Sequence, residues 1–183
     1  PTFLQGDRPI EISALENSSQ LPQIGLAAST ETNTLSIEAT QSLVALKLNH
    51  YRIEVQPSLP GWLEKFKTDY NNAKILKLPL EIALHINDVQ ELKNFCTVLT
   101  PHKSDIVRII LLSVDHPATH QALIDETEHL KKYFPTAKIG AGTDYNFREL
   151  NCNQFDASSL DFISYSIEPQ EHAIDDLTII ENI

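Results

Sequence analysis

The heptapeptide LEIALHI, residues 80–86, alternates between two kinds of side chain. Its first, third, fifth and seventh residues are large and apolar, whereas the three between them are Glu81, Ala83 and His85. Successive side chains of a β-strand point to opposite faces, so this strand has one apolar face and one small or polar face. A parallel sheet covered by helices on both sides is apolar on both faces. A barrel packs one face against helices and turns the other to its lumen, so the heptapeptide favours a barrel over an open sheet.

Strand-like runs recur along the chain at a regular interval. They occupy residues 23–29, 51–56, 80–86, 106–114, 138–143 and 161–167, and their starts are 28, 29, 26, 32 and 23 residues apart. Segments with apolar residues at helical spacing lie between them, at 36–48, 61–74, 88–99 and 119–134. We expect Asp88 to cap the third of these helices, and the pair Asn71–Asn72 to interrupt the second. Strand and helix alternating at this pitch predict an α/β fold of the (β/α)8 TIM-barrel type.

The sequence holds about six of the eight βα units that a complete barrel needs. We predict that residues 23–183 form a partial barrel, truncated before strands 7 and 8, and that residues 1–22 are a linker or the tail of a preceding domain. A six-stranded sheet exposes edges whose backbone groups can pair with another chain. A homodimer, or association through the open sheet edges, is therefore expected.

The small or polar strand face recurs in the other strand-like runs. Its members there are Gly25, Ala27, Arg52, Glu54, Gly140, Gly142, Asp144, Ser164 and Ser166. We expect this set to line the lumen, with Gly140 and Gly142 leaving the space that a substrate needs. The opposite, apolar set is expected to pack against the helices. Phe162 and Tyr165 are also expected to be core residues.

The charge and the cysteine content narrow the class of protein. The formal net charge is −11, and residues 149–183 hold eight acidic residues without a single Lys or Arg. Nucleic acids and anionic membrane surfaces attract clustered positive charge, so neither is an expected partner. The apolar runs are of strand length, so no membrane span is predicted. Cys96 and Cys152 are too few for a disulfide framework, which is typical of a reduced, cytoplasmic protein.

Polar residues gather where the predicted strands end, which is where (β/α)8 enzymes carry their chemistry. They include Glu54, His85, Asp144 and Asn146, and a group after the sixth strand, Glu168, Gln170 and His172. The sequence lacks the glycine-rich nucleotide motifs and the G-x-S-x-G motif of serine hydrolases. The spacing of its histidines is also not that of a metal site. No cofactor and no metal are therefore predicted.

Two motifs in the last third of the chain resemble those of the D-apionate lactonase family. The first is GTDYNFRELN at 142–151 and the second is DFISYSIEPQEHAIDDLTIIEN at 161–182. No packing rule of barrels requires the run Y-S-I-x-P-Q-x-H-A in the second motif, so its match is specific to the family. The sequence departs from the family pattern at Glu168, Ile174 and Cys152, where the family has Asn, Phe and Arg.

The resemblance implies a bacterial hydrolase that opens a small sugar-derived lactone in carbohydrate catabolism. In that scheme Glu149 or Glu54 activates water, and His172 with Asn146 polarises the carbonyl or steadies the leaving oxygen. Substrate hydroxyls are held by a further set, Asp144, Ser166, Glu168, Gln170 and His85. We expect no turnover from this stretch of chain by itself. Two alternatives stay open: a glycoside hydrolase with two rim carboxylates, and a non-catalytic carbohydrate-binding or interaction module, which the departures at Glu168 and Cys152 favour.

Overall fold

The structure, a computed structural model, describes residues 22–31, 33–167 and 174–181. Within these residues strands and helices alternate as predicted. The strands are β1 (Gly25–Ala27), β2 (His50–Val55), β3 (Leu80–Ile86), β4 (Ile106–Ser113), β5 (Lys138–Asn146) and β6 (Phe162–Ser166). The α-helices are α1 (Ile37–Ala45), α2 (Trp62–Leu76), α3 (Val89–Leu99), α4 (Gln121–Ile124), α5 (Thr127–Tyr133), α6 (Phe147–Cys152) and α7 (Asp176–Glu181). A short 3-10 turn, Thr100–His102, follows α3.

The strand order decides between the two parallel architectures. Each strand pairs in parallel with the strand next to it in sequence, so the order is β1-β2-β3-β4-β5-β6. An open doubly wound sheet starts in the middle and reverses its direction of growth. A barrel adds every strand at the same edge. The sheet is therefore a curled half-barrel of the TIM-barrel type, and the predicted fold is confirmed.

The main core lies between the outer face of the sheet and the helices. The four apolar residues of LEIALHI are all completely buried. They pack in one cluster with Phe66 of α2, Phe95 of α3 and Phe134. Cys96 is buried in the same cluster, on the apolar face of α3. Asp88 caps this helix as predicted, because its side chain accepts a hydrogen bond of 2.8 Å from the Glu91 backbone N–H.

Two predicted helices differ from the structure. Helix α2 continues through Asn71–Asn72 to Leu76, so the predicted interruption is wrong. The side chain of Asn72 is buried, and it accepts from the Leu35 backbone N–H and donates to the Asn33 carbonyl. A polar residue inside the helix thus anchors the loop that precedes α1. The predicted helix 119–134 is divided into α4 and α5, where the Thr127 hydroxyl bonds the Ile124 carbonyl at 2.6 Å.

The lumen is less polar than the alternation predicted. Ile110 and Leu112 of β4 are buried there with Ala83, and Phe162 of β6 packs against them. A side chain at Gly140 would meet the Phe162 ring, and one at Gly142 would meet the Ser164 backbone. The expectation that these glycines leave space for a substrate is therefore wrong. They allow β6 and its aromatic ring to approach β5 closely.

The outer face of β6 is also more exposed than predicted. Tyr165 is 46% exposed and contacts Phe147 edge to face, so it is not a core residue. Phe162, the other predicted core aromatic, packs in the lumen rather than under the helices. None of the helices in the described part of the chain is long and apolar enough to cross a membrane.

Candidate active site

Polar side chains line the lumen at successive levels, from the amino ends of the strands to their carboxyl ends. Residues two apart on a strand share a face, so β2 presents a row of three. The lumen groups are His50, Arg52 and Glu54 of β2, Glu81 and His85 of β3, Arg108 of β4, and Asp144 of β5.

At the inner end of this row, toward the amino ends of the strands, Glu81 forms a nearly buried ion pair with Arg108. The Glu81 Oε2 atom lies 2.9 Å from Arg108 Nη1 and 3.5 Å from His50 Nε2. Arg108 also donates to the side-chain oxygen of Gln23. Burial lowers the pKa of His50; Glu81 opposes this shift, while Arg108 and Arg52 add to it. The His50 imidazole is therefore neutral at pH 7.

At the outer end, four side chains form what we call the rim cluster: Arg52, Glu54, His85 and Asp144. Arg52 Nη2 lies 3.7 Å from Asp144 Oδ1 and 3.9 Å from Glu54 Oε1. His85 Nδ1 lies 3.4 Å from Asp144 Oδ2. The structure thus brings together three residues that the sequence predicted for the site, and it adds Arg52 between them.

The guanidinium of Arg52 has three carboxylate neighbours, but none of them is at the distance of a charge-assisted hydrogen bond. Its third carboxylate neighbour, Glu81, lies 3.9 Å away, so all three separations exceed the ~2.7–2.9 Å of a charge-assisted hydrogen bond. Among the residues that the structure describes, no other group accepts from this guanidinium. Arg108, in contrast, is bound tightly to Glu81 and Gln23. Arg52 therefore retains N–H donors for a ligand.

The two ring nitrogens of His85 have different surroundings. Because Nδ1 lies beside Asp144, the second ring nitrogen, Nε2, is the one left for a ligand. The position of Asp144 is itself fixed, since its backbone carbonyl accepts a 2.6 Å hydrogen bond from the Ser166 hydroxyl. Ser166, predicted to bind substrate, thus ties the end of β5 to β6.

A cleft of about 790 Å³ opens beside the rim cluster, at the carboxyl ends of β1, β2 and β3. Glu54 and His85 form part of its wall. The opposite part comes from the segment between β2 and α2 and from the first turn of α2, with Leu59, Trp62 and Lys65. Its volume is in the range of small-molecule sites, and its wall combines apolar surface with a few polar groups.

Lys65 is fixed at the cleft wall by two acceptors. Its Nζ atom donates to the Ser29 carbonyl and to Asp69 Oδ2, both at 2.8 Å. Asp69 is buried, and burial raises the pKa of its carboxyl while Lys65 acts to lower it. The ion pair connects the loop after β1 to α2, so it stabilises one side of the cleft.

Glu149, predicted as one of two carboxylates that could activate water, lies in a different environment. It is in the first turn of α6, and its Oε1 atom accepts a 2.5 Å hydrogen bond from Arg148 Nη1. Asn146 begins this helix as its N-cap, with its side chain accepting from the Arg148 backbone N–H. Within the described residues, no ion pair joins Glu149 to the rim cluster.

Three predicted site residues, Glu168, Gln170 and His172, lie outside the described residues. In the part of the chain that is described, no group of three His, Cys, Asp or Glu side chains is arranged to hold a metal ion. The residues that sequence reasoning did not select are Arg52, Trp62 and Lys65. The strand alternation predicted that Arg52 faces the lumen. The spacing of Trp62 and Lys65, in contrast, is the same for residues of a cleft wall and for residues at the start of any helix.

Comparison with protein-family models matches residues 24–183 to the family described as D-apionate lactonase, TIM barrel domain. The match covers all six strands and both motifs of the last third of the chain. Neither the curated proteins nor the solved structures include a match to this chain.

Proposed function

The chain belongs to the D-apionate lactonase family, a family of sugar-related hydrolases, and on that premise we propose that its rim cluster hydrolyses a small sugar-derived lactone. One observation carries the proposal. The imidazole of His85 lines the cleft beside the Asp144 carboxylate, and Arg52, which has N–H donors without a close acceptor, lies 3.7 Å from the same carboxylate. Ester hydrolysis needs these two functions: a base for water and a cationic donor for the developing oxyanion.

In the proposed reaction, His85 Nε2 takes a proton from a water molecule as its oxygen attacks the lactone carbonyl carbon. Asp144 keeps the imidazole in the required tautomer and stabilises the imidazolium that forms. The N–H groups of Arg52 bind the oxyanion of the tetrahedral intermediate. The ring C–O bond then breaks, and the proton passes from His85 to the leaving alkoxide. The product is the open hydroxy acid.

Glu54 takes the role of a binding group in this scheme. Its side chain is 61% exposed, and it lies on the same wall of the cleft as His85. A solvated carboxylate there accepts hydrogen bonds from ring hydroxyls. The base is assigned to His85 rather than to Glu54 or Glu149, because imidazole is the side chain that most often serves as a general base.

A second candidate function is glycoside hydrolysis by Glu54 and Asp144. Both carboxylates lie within 4 Å of one nitrogen of Arg52, at 3.9 and 3.7 Å. Their oxygens are therefore less than about 8 Å apart, an upper limit that is compatible with paired glycosidase carboxylates. However, the guanidinium of Arg52 lies between the two carboxylates, in the space that a glycosidic bond would have to occupy. The lactonase reading is therefore preferred.

The test is an assay of the full-length protein against a panel of five- and six-carbon aldonolactones and of aryl glycosides. We expect lactone opening above the buffer rate, and a loss of ~10²–10⁴-fold in kcat for His85→Ala. Glycoside cleavage without lactone opening would instead support the carboxylate pair. A protein that binds the ring without turning over either substrate class would be the non-catalytic module. Full lactonase activity in His85→Ala would exclude the proposed base.

A further inference from the structure

We propose that Trp62 and Lys65 form a subsite that binds the ring of the substrate, with the indole against its C–H face and the ammonium on a ring hydroxyl. This inference deepens the proposed function, because it names what the cleft recognises, and it rests on that function for the identity of the ring. The ring is a neutral, hydroxylated one, as in an aldonolactone.

Trp62 is placed to act as a platform rather than only as a core residue. It is the first residue of α2 and lines the cleft across from His85 and Glu54. The chain reaches it through Gly61, which has φ +78 and so turns the backbone into the helix. Part of the indole packs on the main core, and the rest remains accessible. A partly buried aromatic ring that remains partly accessible in a cleft is suited to the apolar face of a sugar ring.

Lys65 lies one helical turn after Trp62 and faces the same cleft. An ammonium group has three N–H donors, and the described residues accept from two of them, through Ser29 and Asp69. The third donor has no acceptor among the described residues, and Lys65 lines the cleft. A preorganised donor loses little conformational entropy when it binds a ligand.

The charges of the cleft indicate a neutral ligand. The positive charge of Lys65 is balanced by Asp69 at 2.8 Å, and Glu54 adds a negative charge to the wall. An anionic sugar acid would lie next to Glu54 and Asp144, and the nearest cation, Arg52, is already within 4 Å of both carboxylates. The uncharged lactone is therefore bound in preference to the acid that its hydrolysis releases.

Binding can be followed separately from hydrolysis by tryptophan fluorescence, since Trp62 is the single tryptophan in the sequence. The probe is the 1,4-lactam of a five-carbon aldonic acid, which keeps the hydroxylated ring and resists opening. Titration of the 183-residue chain should give a saturable change in emission. That change should be absent in Trp62→Phe, whose affinity for the lactam, measured by calorimetry, should stay within ~3-fold of wild type.

Variants of neighbouring residues distinguish a subsite from a structural role. We expect Trp62→Leu to weaken lactam binding ~10-fold, and the double variant Lys65→Met/Asp69→Asn to weaken it ~5-fold without leaving an unpaired buried acid. Leu63→Ala and Lys67→Met, which change the same helix outside the cleft, should bind as wild type does. Thermal unfolding of each variant checks that it is folded.

Two results separate this inference from the proposed function. Unchanged lactam affinity in a folded Trp62→Leu protein would overturn the subsite and leave the hydrolysis proposal standing. Lactam binding that depends on Trp62 in a protein that opens no lactone would overturn the hydrolysis and leave the subsite.

Discussion

His85 Nδ1 lies 3.4 Å from Asp144 Oδ2, although the two residues belong to strands that do not pair with each other. Strand β4 runs between β3 and β5, and its residue opposite His85 is the apolar Leu112. The two polar side chains therefore meet across the lumen above an apolar neighbour. Side chains from alternate strands converge in this way in layers of a barrel, and the partial sheet is curved enough to produce the contact.

The first prediction concerns this pair. Asp144→Asn keeps an oxygen near His85 but removes the charge that orients the ring and stabilises the imidazolium. We expect kcat for lactone opening to fall by ~10²–10⁴-fold with little change in KM. Steady-state rates over a panel of pH values provide the measurement. Asp115→Asn is the matched control, since it removes the charge from an exposed His–Asp pair, at 3.2 Å from His120 Nε2.

Equal loss of activity in Asp144→Asn and Asp115→Asn would indicate a general effect of charge rather than a role for the rim pair. An Asp144→Asn protein as active as wild type would remove Asp144 from the mechanism altogether.

The second prediction concerns the buried ion pair at the inner end of the lumen. In Glu81→Gln, Arg108 loses its 2.9 Å partner and keeps an uncompensated charge, so we expect unfolding to be easier by about 2–4 kcal/mol. The double variant Glu81→Leu/Arg108→Met has no charge left to compensate and should lose less stability than Glu81→Gln alone. Denaturant unfolding of both variants makes the comparison. A double variant that is the less stable of the two would show that the pair itself, not its breakage, determines stability.

The third prediction is a pH dependence of stability. Burial lowers the pKa of His50, so at acid pH the unfolded chain binds a proton that the folded chain does not. Folding stability from this group is therefore complete above the unfolded pKa, and it is lost as the pH falls below about 6.5. We expect wild type to lose stability relative to His50→Gln between pH 7 and pH 5. The same change in the free energy of unfolding with pH in both proteins would contradict the prediction.

Much of the fold was predictable because the alternation within each strand is a local property. LEIALHI alone carries the two faces of β3, and the interval between such runs gives the βα repeat. What the alternation did not reveal is which lumen positions are filled by apolar residues. Ile110 and Leu112 lie in an almost continuously apolar strand, so the sequence pattern does not show whether they face the lumen or the helices.

The site was predictable only in part, for a related reason. His85, Glu54 and Asp144 follow directly from strand position, since each lies at or near the carboxyl end of its strand. Whether they touch depends on the curvature of the sheet, which no local pattern specifies. Trp62 reaches the cleft because Gly61 adopts a positive φ, and a glycine next to a tryptophan carries no such information in the sequence.

The fourth prediction concerns the two cysteines, which differ strongly in reactivity. Cys96 is buried, and burial raises the pKa of its thiol to about 11. Cys152 is exposed at the end of α6. Because the thiolate is the reactive form, a thiol reagent at pH 8 should modify Cys152 rapidly and Cys96 only after unfolding. Cys152→Ser should abolish the rapid phase of thiol modification. Fast modification of Cys96 in the folded state would contradict its burial.

The last prediction tests the role of the lumen glycines as points of close approach. At Gly142, an added methyl group meets the Ser164 backbone, and the Gly142 backbone itself is bonded to the Thr119 hydroxyl at 3.0 Å. Neither backbone segment can move away to relieve this contact, so we expect Gly142→Ala to destabilise the fold by about 2–4 kcal/mol in denaturant unfolding. At Gly140 the obstacle is the ring of Phe162, which a smaller side chain relieves. Gly140→Ala should therefore be rescued by Phe162→Leu, whereas the same second change should not rescue Gly142→Ala.

Gly61→Ala provides the control for backbone strain, since it has φ +78 and open space around the added carbon. It should cost about 1 kcal/mol, less than Gly142→Ala, because strain alone is then the penalty. If Gly142→Ala were no more destabilising than Gly61→Ala, the close approach of β6 to β5 would not be what requires glycine. The lumen beside Gly142 would then be free for a substrate, as the sequence first indicated.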